Sequence, residues 1–427
     1  MRDDAAPARF AWLPPGLRPP AAMVWRQERV FLLVGTAALF AGYDLNVYGL
    51  AIPQIQLSFH IPENQVALIV AYFRLAVLFA LAICASADLV GRRRLLLITI
   101  LGQAIATLAT AFTDNSAQFV WAQFCTRVFG YAEEMLCFVV VAEEVAAAAR
   151  GWASGGLSAM YYTGAGLASL IFAAVNLLPF GWRAIYVIGA VPLFLVAYLR
   201  RRLPETKRFA AQQDLHKARS KLADSISLLR DLMRQYPGRI AAILTAVAAF
   251  GFGVSSASVL SAKYLQTVQG YTPGQITLLF IPGGLIGLVL TIMTGRLSDR
   301  IGRKPVTLAI VAFAGLAFAL FYAGVPGFLL PPLWVLSFFG FFAGDALLAG
   351  FAIEIVPTHY RATVSGLRYL VEILAGAAAL ALEGRLYDHF LSHGPAIQAL
   401  LITVPVTLAA ILFLPEPAGK TLEEMAA

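Results

Sequence analysis

Several charged residues stand deep inside long apolar stretches of this 427-residue chain. Asp44 lies within "AGYDLNVYGL" and Arg74 within "VAYFRLAVLF". Arg127, Glu133 and Glu134 lie within "FCTRVFGYAEEMLCF", and Arg368 and Glu372 within "GLRYLVEILAG". An ionisable group at the middle of a membrane costs at least about 2.5 kcal/mol, so each needs a partner or a purpose. Low dielectric favours the neutral form of a carboxyl, which lets Asp44 load and release a proton. Positions 127 and 134 share a helix face, so Arg127 can pair with Glu134. Glu372, at i+4 from Arg368, can neutralise that arginine. An arginine left free would hold a carboxylate or phosphate in bidentate fashion. Arg74, Arg127, Arg368 and Glu372 are therefore the candidate substrate residues. Tyr43, Tyr72, Tyr161, Tyr162, Phe339 and Tyr369 lie at similar depths and are candidates to sandwich a ring, although aromatics at helical spacing also serve as packing. No catalytic constellation and no phosphate-binding loop appear, which excludes the common enzyme classes and direct ATP drive. The five histidines lack metal-ligand spacing. No metal and no cofactor are expected, and the proton motive force is the expected energy source.

The elements that must position these residues are membrane helices. Apolar residues make up 59% of the chain and charged residues 13%, against about 25% charged in a soluble globular protein. Most of the surface must face lipid. Lipid cannot hydrogen-bond a bare backbone, so the apolar stretches are expected to be helical throughout. Breaks in hydropathy predict twelve spans, starting near residues 30, 65, 95, 117, 150, 182, 239, 274, 305, 331, 362 and 396. Lysines and arginines crowd the arm up to Arg29, the 91–94 and 296–304 loops and the 200–239 stretch, while the loops at 54–64, 114–116, 177–181, 268–273, 325–330 and 389–395 contain none. The positive-inside rule puts both termini in the cytoplasm. The net charge of +8 then reports topology and contact with anionic lipid headgroups. It gives no reason to invoke nucleic acid. Cys84, Cys125 and Cys137 all fall inside predicted spans and imply no disulfide framework.

An internal repeat orders the chain. Asp88-x-x-Gly91-Arg92 recurs as Asp299-x-x-Gly302-Arg303, Glu143 with Arg150 as Glu354 with Arg361, and Leu203-Pro204-Glu205 as Leu414-Pro415-Glu416. The offset is 211 residues in every case. Two six-helix halves in parallel repeat are the arrangement of transporters that rock about a midplane site. The offset also separates shared charges from one-sided ones. Asp44 corresponds to Ser255, Arg74 to Leu285, Arg127 to Phe338, Glu133 to Gly344, Arg368 to Leu157 and Glu372 to Tyr161. Asp88, Gly91, Arg92, Glu143, Arg150, Asp299, Arg300, Gly302, Arg303, Glu354 and Arg361 read as a cytoplasmic gate, in which ion pairs close in one state and part in the other.

"GRLSDRIGRKP" at 295–305 resembles the cytoplasmic loop signature of the major facilitator superfamily, Gly-x-x-x-Asp-Arg-x-Gly-Arg-Arg/Lys. The first-half copy, "CASADLVGRRR", departs from it at Cys84 and Leu89. "EIVPTHYRAT" and "AEEVAAAARGWASG" resemble the Glu-x-x-Pro-x-x-x-Arg element of the sugar-porter and metabolite:proton symporter branches, with Ala146 in place of the first-half proline. The resemblance covers residues 30–425. It implies an all-α fold of twelve transmembrane helices in two pseudo-symmetric six-helix bundles. It also implies a central cavity lined by spans one and four, which gives Arg127 the alternative of pairing with Asp44. A Gly-Tyr/Phe-Asp in the first span of the metabolite:proton symporters matches Asp44. Their Gly-Gly-Glu, ten residues before the Glu-x-x-Pro-x-x-x-Arg glutamate, matches Glu133. The proton-coupling set expected from these correspondences is Asp44, Arg127, Glu133 and Glu134.

The expected organisation is a disordered cytoplasmic arm (1–29), a first bundle (30–202), a cytoplasmic linker with an amphipathic helix (203–238), a second bundle (239–415) and a cytoplasmic tail (416–427). In the linker, Leu222, Ile226, Leu229 and Leu232 fall on one side of a helix expected to lie at the inner membrane surface. The expected function is proton-coupled symport of a small organic anion, an aromatic or other carboxylate, by a monomer in the inner or plasma membrane. The alternatives are an organic cation or drug antiporter built on the same acids, a sugar or polyol porter, and a transporter-like receptor without flux.

Overall fold

In the computed structural model, residues 10, 18–19, 23–145, 149–201, 227–357 and 360–417 are described. Twelve long helices account for most of them: α1 (Trp25–Phe59), α2 (Glu63–Ala85), α3 (Arg92–Ala111), α4 (Ser116–Glu144), α5 (Arg150–Ala173), α6 (Trp182–Arg200), α7 (Pro237–Thr267), α8 (Pro273–Ile301), α9 (Arg303–Phe321), α10 (Gly327–Glu354), α11 (Arg361–Phe390) and α12 (His393–Leu412). Eleven are long and apolar enough to cross a bilayer. The twelfth, α4, has the length at 29 residues, but Arg127, Glu133 and Glu134 interrupt its apolar run. Helix starts agree with the hydropathy breaks to within about a turn. Local signals set several of them. The Asn115 side chain accepts from the Gln118 amide at the start of α4, and Thr272 and Gln275 form a capping box ahead of Pro273 at the start of α8.

The described residues divide into two compact units. Unit 1 gathers those of Met1–Ala51 and Ala76–Arg219, and unit 2 those of Ile52–Leu75 and Ser220–Ala427. The contact boundary thus differs from the sequence boundary for residues 52–75, the hairpin formed by the end of α1 and the start of α2.

In unit 1, α1 and α5 cross closely through glycines. A Cβ on Gly164 would stand 1.7 Å from the Leu39 carbonyl oxygen, and one on Gly42 would stand 2.0 Å from that of Tyr161. Only glycine permits this approach, and close approach is how helices gain dispersion where lipid removes the hydrophobic driving force. The arm expected to be disordered needs correction where it is described. Phe10 and Met23 are buried in the core of this unit. The Phe10 ring meets Trp152 edge-on at 5.3 Å and Phe31 at 6.4 Å. The first helix also begins at Trp25, not after residue 29.

In unit 2, α7 contains a single π turn, Gly251–Ser255, of the kind that marks functional positions in helices. The linker segment 227–235 is helical with Leu232 buried. Leu222 and Ile226 lie outside the described residues.

Candidate functional site

Asp44, on α1, is fully buried in unit 1. Its Oδ2 accepts from the Thr107 hydroxyl at 2.9 Å and from Gln103 Nε2 at 3.3 Å, both on α3. Oδ1 has no hydrogen-bond partner. Arg127, on α4, acts on this carboxyl electrostatically. Its guanidinium donates to Gln123 Oε1 at 3.1 Å and to the Leu45 carbonyl at 3.3 Å. Gln123 in turn donates to the Thr110 hydroxyl at 3.0 Å. Three helices therefore hold one acid and one base in a dry, hydrogen-bonded web. Of the two partners expected for Arg127, Asp44 is the one beside a group that Arg127 bonds, the Leu45 carbonyl. Glu134 takes part in no hydrogen bond or ion pair among the described residues, and its electrostatic neighbour is Tyr161.

Glu133 is placed elsewhere. It is fully buried, but it pairs with Arg200 at the end of α6, another side chain with no exposure. Thr99 donates to Glu133 at 2.5 Å. Arg200 also donates to the Leu33 carbonyl. The expected grouping of Glu133 with Asp44 is therefore corrected: Glu133 belongs to a closed pair. Sequence reading missed Arg200 because it opens the basic run "RRR" and reads as the first linker charge. The repeat could have found it. Arg200 corresponds to Ile411 as Glu133 does to Gly344, so both members of the pair are one-sided.

In unit 2 the one-sided charges cluster. Arg368 on α11 pairs with Asp345 on α10 at 2.6 Å and with Glu372 at 2.9 Å. Arg74 on α2 donates to Ser255 Oγ at 3.4 Å, and Ser255 is the repeat counterpart of Asp44. A Cβ on Gly376 would stand 1.7 Å from Arg74 Nη1, and one on Gly251 would stand 2.6 Å from the Glu372 carbonyl oxygen. Glycines thus make room for this patch, and nothing in the sequence alone gave them that task. Arg368 is not a free clamp here, because two carboxylates already hold it.

The aromatic candidates are not gathered. Tyr43 is buried, with its hydroxyl on the Ile185 carbonyl at 2.8 Å and its ring against Gly189. Phe339 packs near Phe313. Both make these contacts within their own bundle. Tyr161 and Tyr162 meet edge-on at 5.6 Å. Tyr72 and Tyr162 are exposed, and Tyr369 is partly buried.

The expected gate residues obey the repeat in three dimensions. Arg92 pairs with Glu143 at 3.1 Å in unit 1, and Arg303 pairs with Glu354 at 2.9 Å in unit 2. Arg303 also meets Asp299 at 2.7 Å. Gly91 and Gly302 both adopt positive φ, 97° and 119°, where a side chain would be strained. Arg300 is exposed. Arg361 opens α11 and Arg150 opens α5. Asp88 lies in the short turn Ala87–Val90, and the side chains of Asp88 and Arg150 are outside the described residues.

The sequence profile of the Major Facilitator Superfamily matches residues 34–380. The chain belongs to this superfamily. A probable 4-methylmuconolactone transporter of Cupriavidus pinatubonensis is 23% identical over 97% of this chain and 95% of its own. The 3-(3-hydroxy-phenyl)propionate transporter of Escherichia coli is 27% identical over 84% and 87%. Among solved structures, the inward-open xylose transporter of E. coli superposes with a TM-score of 0.72 at 18% identity, covering 93% of this chain and 99% of that one. The fold of this chain is the twelve-helix fold of the superfamily, with α4 as the span that carries three charged residues along its apolar run. This superfamily member is a multi-pass membrane transporter for small-molecule solutes, not an enzyme.

Proposed function

We propose that this transporter carries a small organic carboxylate, an aromatic one included, in symport with a proton, both termini facing the cytoplasm. The observation that carries the proposal is the buried Asp44–Arg127 web of unit 1, in which Arg127 donates to the carbonyl of Leu45, next to the acid. While Asp44 is ionised, Arg127 has a counter-charge. A proton on Asp44 removes it and leaves the guanidinium attractive to an anion, so proton and carboxylate bind as a pair. Supporting this reading, two relatives are named for 3-(3-hydroxy-phenyl)propionate and gallate transport. The cation reading is weaker. Of the acids it would use, Glu133, Asp345 and Glu372 are already held by arginines. The Asp44→Asn variant in proteoliposomes tests the proposal. It should lose uptake driven by a pH gradient while keeping substrate exchange. If its uptake still followed the gradient, Asp44 would not be the coupling site. A thermal-shift screen of carboxylates, amines and sugars identifies the solute class, since a bound ligand stabilises by mass action. A shift with amines alone would overturn the anion.

A further inference from the structure

A second buried charge cluster lies in unit 2, away from the residues used above. Glu63 Oε2, at the start of α2, lies 2.5 Å from Lys263 Nζ on α7 and 3.0 Å from His393 Nε2 at the start of α12. The other ring nitrogen of His393, Nδ1, lies 2.6 Å from Glu383 Oε1 on α11. Lys263 also donates to Gln56 on α1 at 2.5 Å. Side-chain exposure is 1% for Lys263, 7% for His393 and 0% for Glu383, against 39% for Glu63. The Tyr387 ring stands 4.5 Å from that of His393, and the neighbouring Asn64 donates to Asp388. All four charged residues are one-sided in the repeat. Glu63 corresponds to Gly274, Lys263 to Ile52, Glu383 to Phe172 and His393 to Trp182. The shared scaffold therefore does not need them.

Both imidazole nitrogens face carboxylate oxygens. A neutral imidazole has one N–H, so one nitrogen would turn a lone pair on a carboxylate. The arrangement is satisfied only when the cluster holds one more proton, on the imidazole or on a carboxyl it faces. With that proton, two carboxylates balance an ammonium and an imidazolium. Without it, the group carries a net negative charge, which is costly because Lys263, His393 and Glu383 are buried and only Glu63 reaches water.

We propose that Glu63, Lys263, His393 and Glu383 form a proton-binding site separate from Asp44, whose proton fastens the 52–75 hairpin to α7, α11 and α12. The hairpin's seat is built for this docking. A Cβ on Gly384 of α11 would stand 2.2 Å from the Asn64 carbonyl oxygen, so α2 and α11 meet at backbone distance. Under the positive-inside reading, the hairpin lies away from the cytoplasm and the proton arrives from that side. Because the fastened form binds the extra proton, linkage makes acid hold the hairpin and alkali release it.

Hydrogen–deuterium exchange on the full chain in nanodiscs tests this, at about pH 5.5 and about pH 8.5, either side of the ordinary histidine value. After correction for intrinsic rates, amides at the 52–64 turn should exchange about tenfold more slowly at the acid pH. The His393→Gln variant should exchange fast at both pH values, and His393→Lys, with a permanent charge, slowly at both. Asp44→Asn should keep the wild-type pH response, which separates this site from the coupling carboxyl. A wild type with no pH response would overturn the site. So would a response that survives in His393→Lys, the variant that decides if His393→Gln does not fold, or one lost in Asp44→Asn and retained in His393→Gln.

Discussion

The Thr107 hydroxyl donates to Asp44 Oδ2 at 2.9 Å inside a carboxyl environment with no exposure. A hydrogen bond to a charged group is worth about 1.5–3 kcal/mol. Under the proposed proton coupling, every step in which Asp44 is ionised draws on this bond. Thr107→Val should therefore lower gradient-driven uptake by about tenfold or more, and Thr107→Ser, which keeps the donor, should leave it near the wild type. Initial uptake rates in proteoliposomes decide it, and equal rates for all three proteins would remove Thr107 from the coupling web.

Glu133 and Arg200 form a closed pair with neither side chain exposed. Removing one partner strands a buried charge, at about 3–5 kcal/mol. Replacing both with apolar side chains of similar volume strands nothing. Arg200→Met and Glu133→Leu should each lower the unfolding temperature sharply, and the double variant should recover most of the loss. A double variant as unstable as the sum of the singles would show that the two residues act independently.

The expectation about Glu133 and the unread role of Arg200 show where the sequence stops being readable. Span positions follow from hydropathy because lipid imposes it on every exposed segment, so α2 or α9 could hardly be missed. The gate pairs follow from the repeat because Arg92 and Glu143 recur together as Arg303 and Glu354. Partnership between one-sided charges does not follow. Which acid meets Arg127 depends on helix rotation, and α4 offers Glu133 and Glu134 side by side. The cluster at Glu63 was invisible for a different reason. Its four members come from four helices, and each alone looks like an ordinary charge near a membrane edge. The backbone approach of α1 to α5 is likewise written in single glycines that spacing alone does not distinguish from Gly166.

The two repeat-related pairs differ in their access to water. Arg92 and Glu143 are 9% and 8% exposed, whereas Arg303 and Glu354 are 24% and 29% exposed. Water and salt screen the second pair more. Glu143→Ala should cost more stability than Glu354→Ala, roughly 1–3 kcal/mol against under about 1 kcal/mol. Added salt should shift the melting temperature of the wild type and Glu354→Ala differently, and that of Glu143→Ala and the wild type alike. Melting curves at low and high salt check both, and a larger loss at Glu354 would reverse the assignment.

Gly164 and Gly166 provide a matched test of how α1 seats on α5. A Cβ at position 164 would stand 1.7 Å from the Leu39 carbonyl oxygen and 2.8 Å from the Tyr43 amide nitrogen, both backbone atoms, while one at position 166 would meet nothing within 4 Å. Backbone cannot swing aside as a side-chain tip can, so Gly164→Ala must push α1 away from α5. Overpacking of this kind costs about 1–3 kcal/mol. Asp44 is five residues from Leu39 on the same helix, so the same push also displaces the acid from Thr107 and Gln103 on α3. Gly164→Ala is therefore expected to lose both thermal stability and gradient-driven uptake, and Gly166→Ala to keep both. Loss of stability with uptake intact would show that the α1–α5 contact supports the bundle without positioning Asp44.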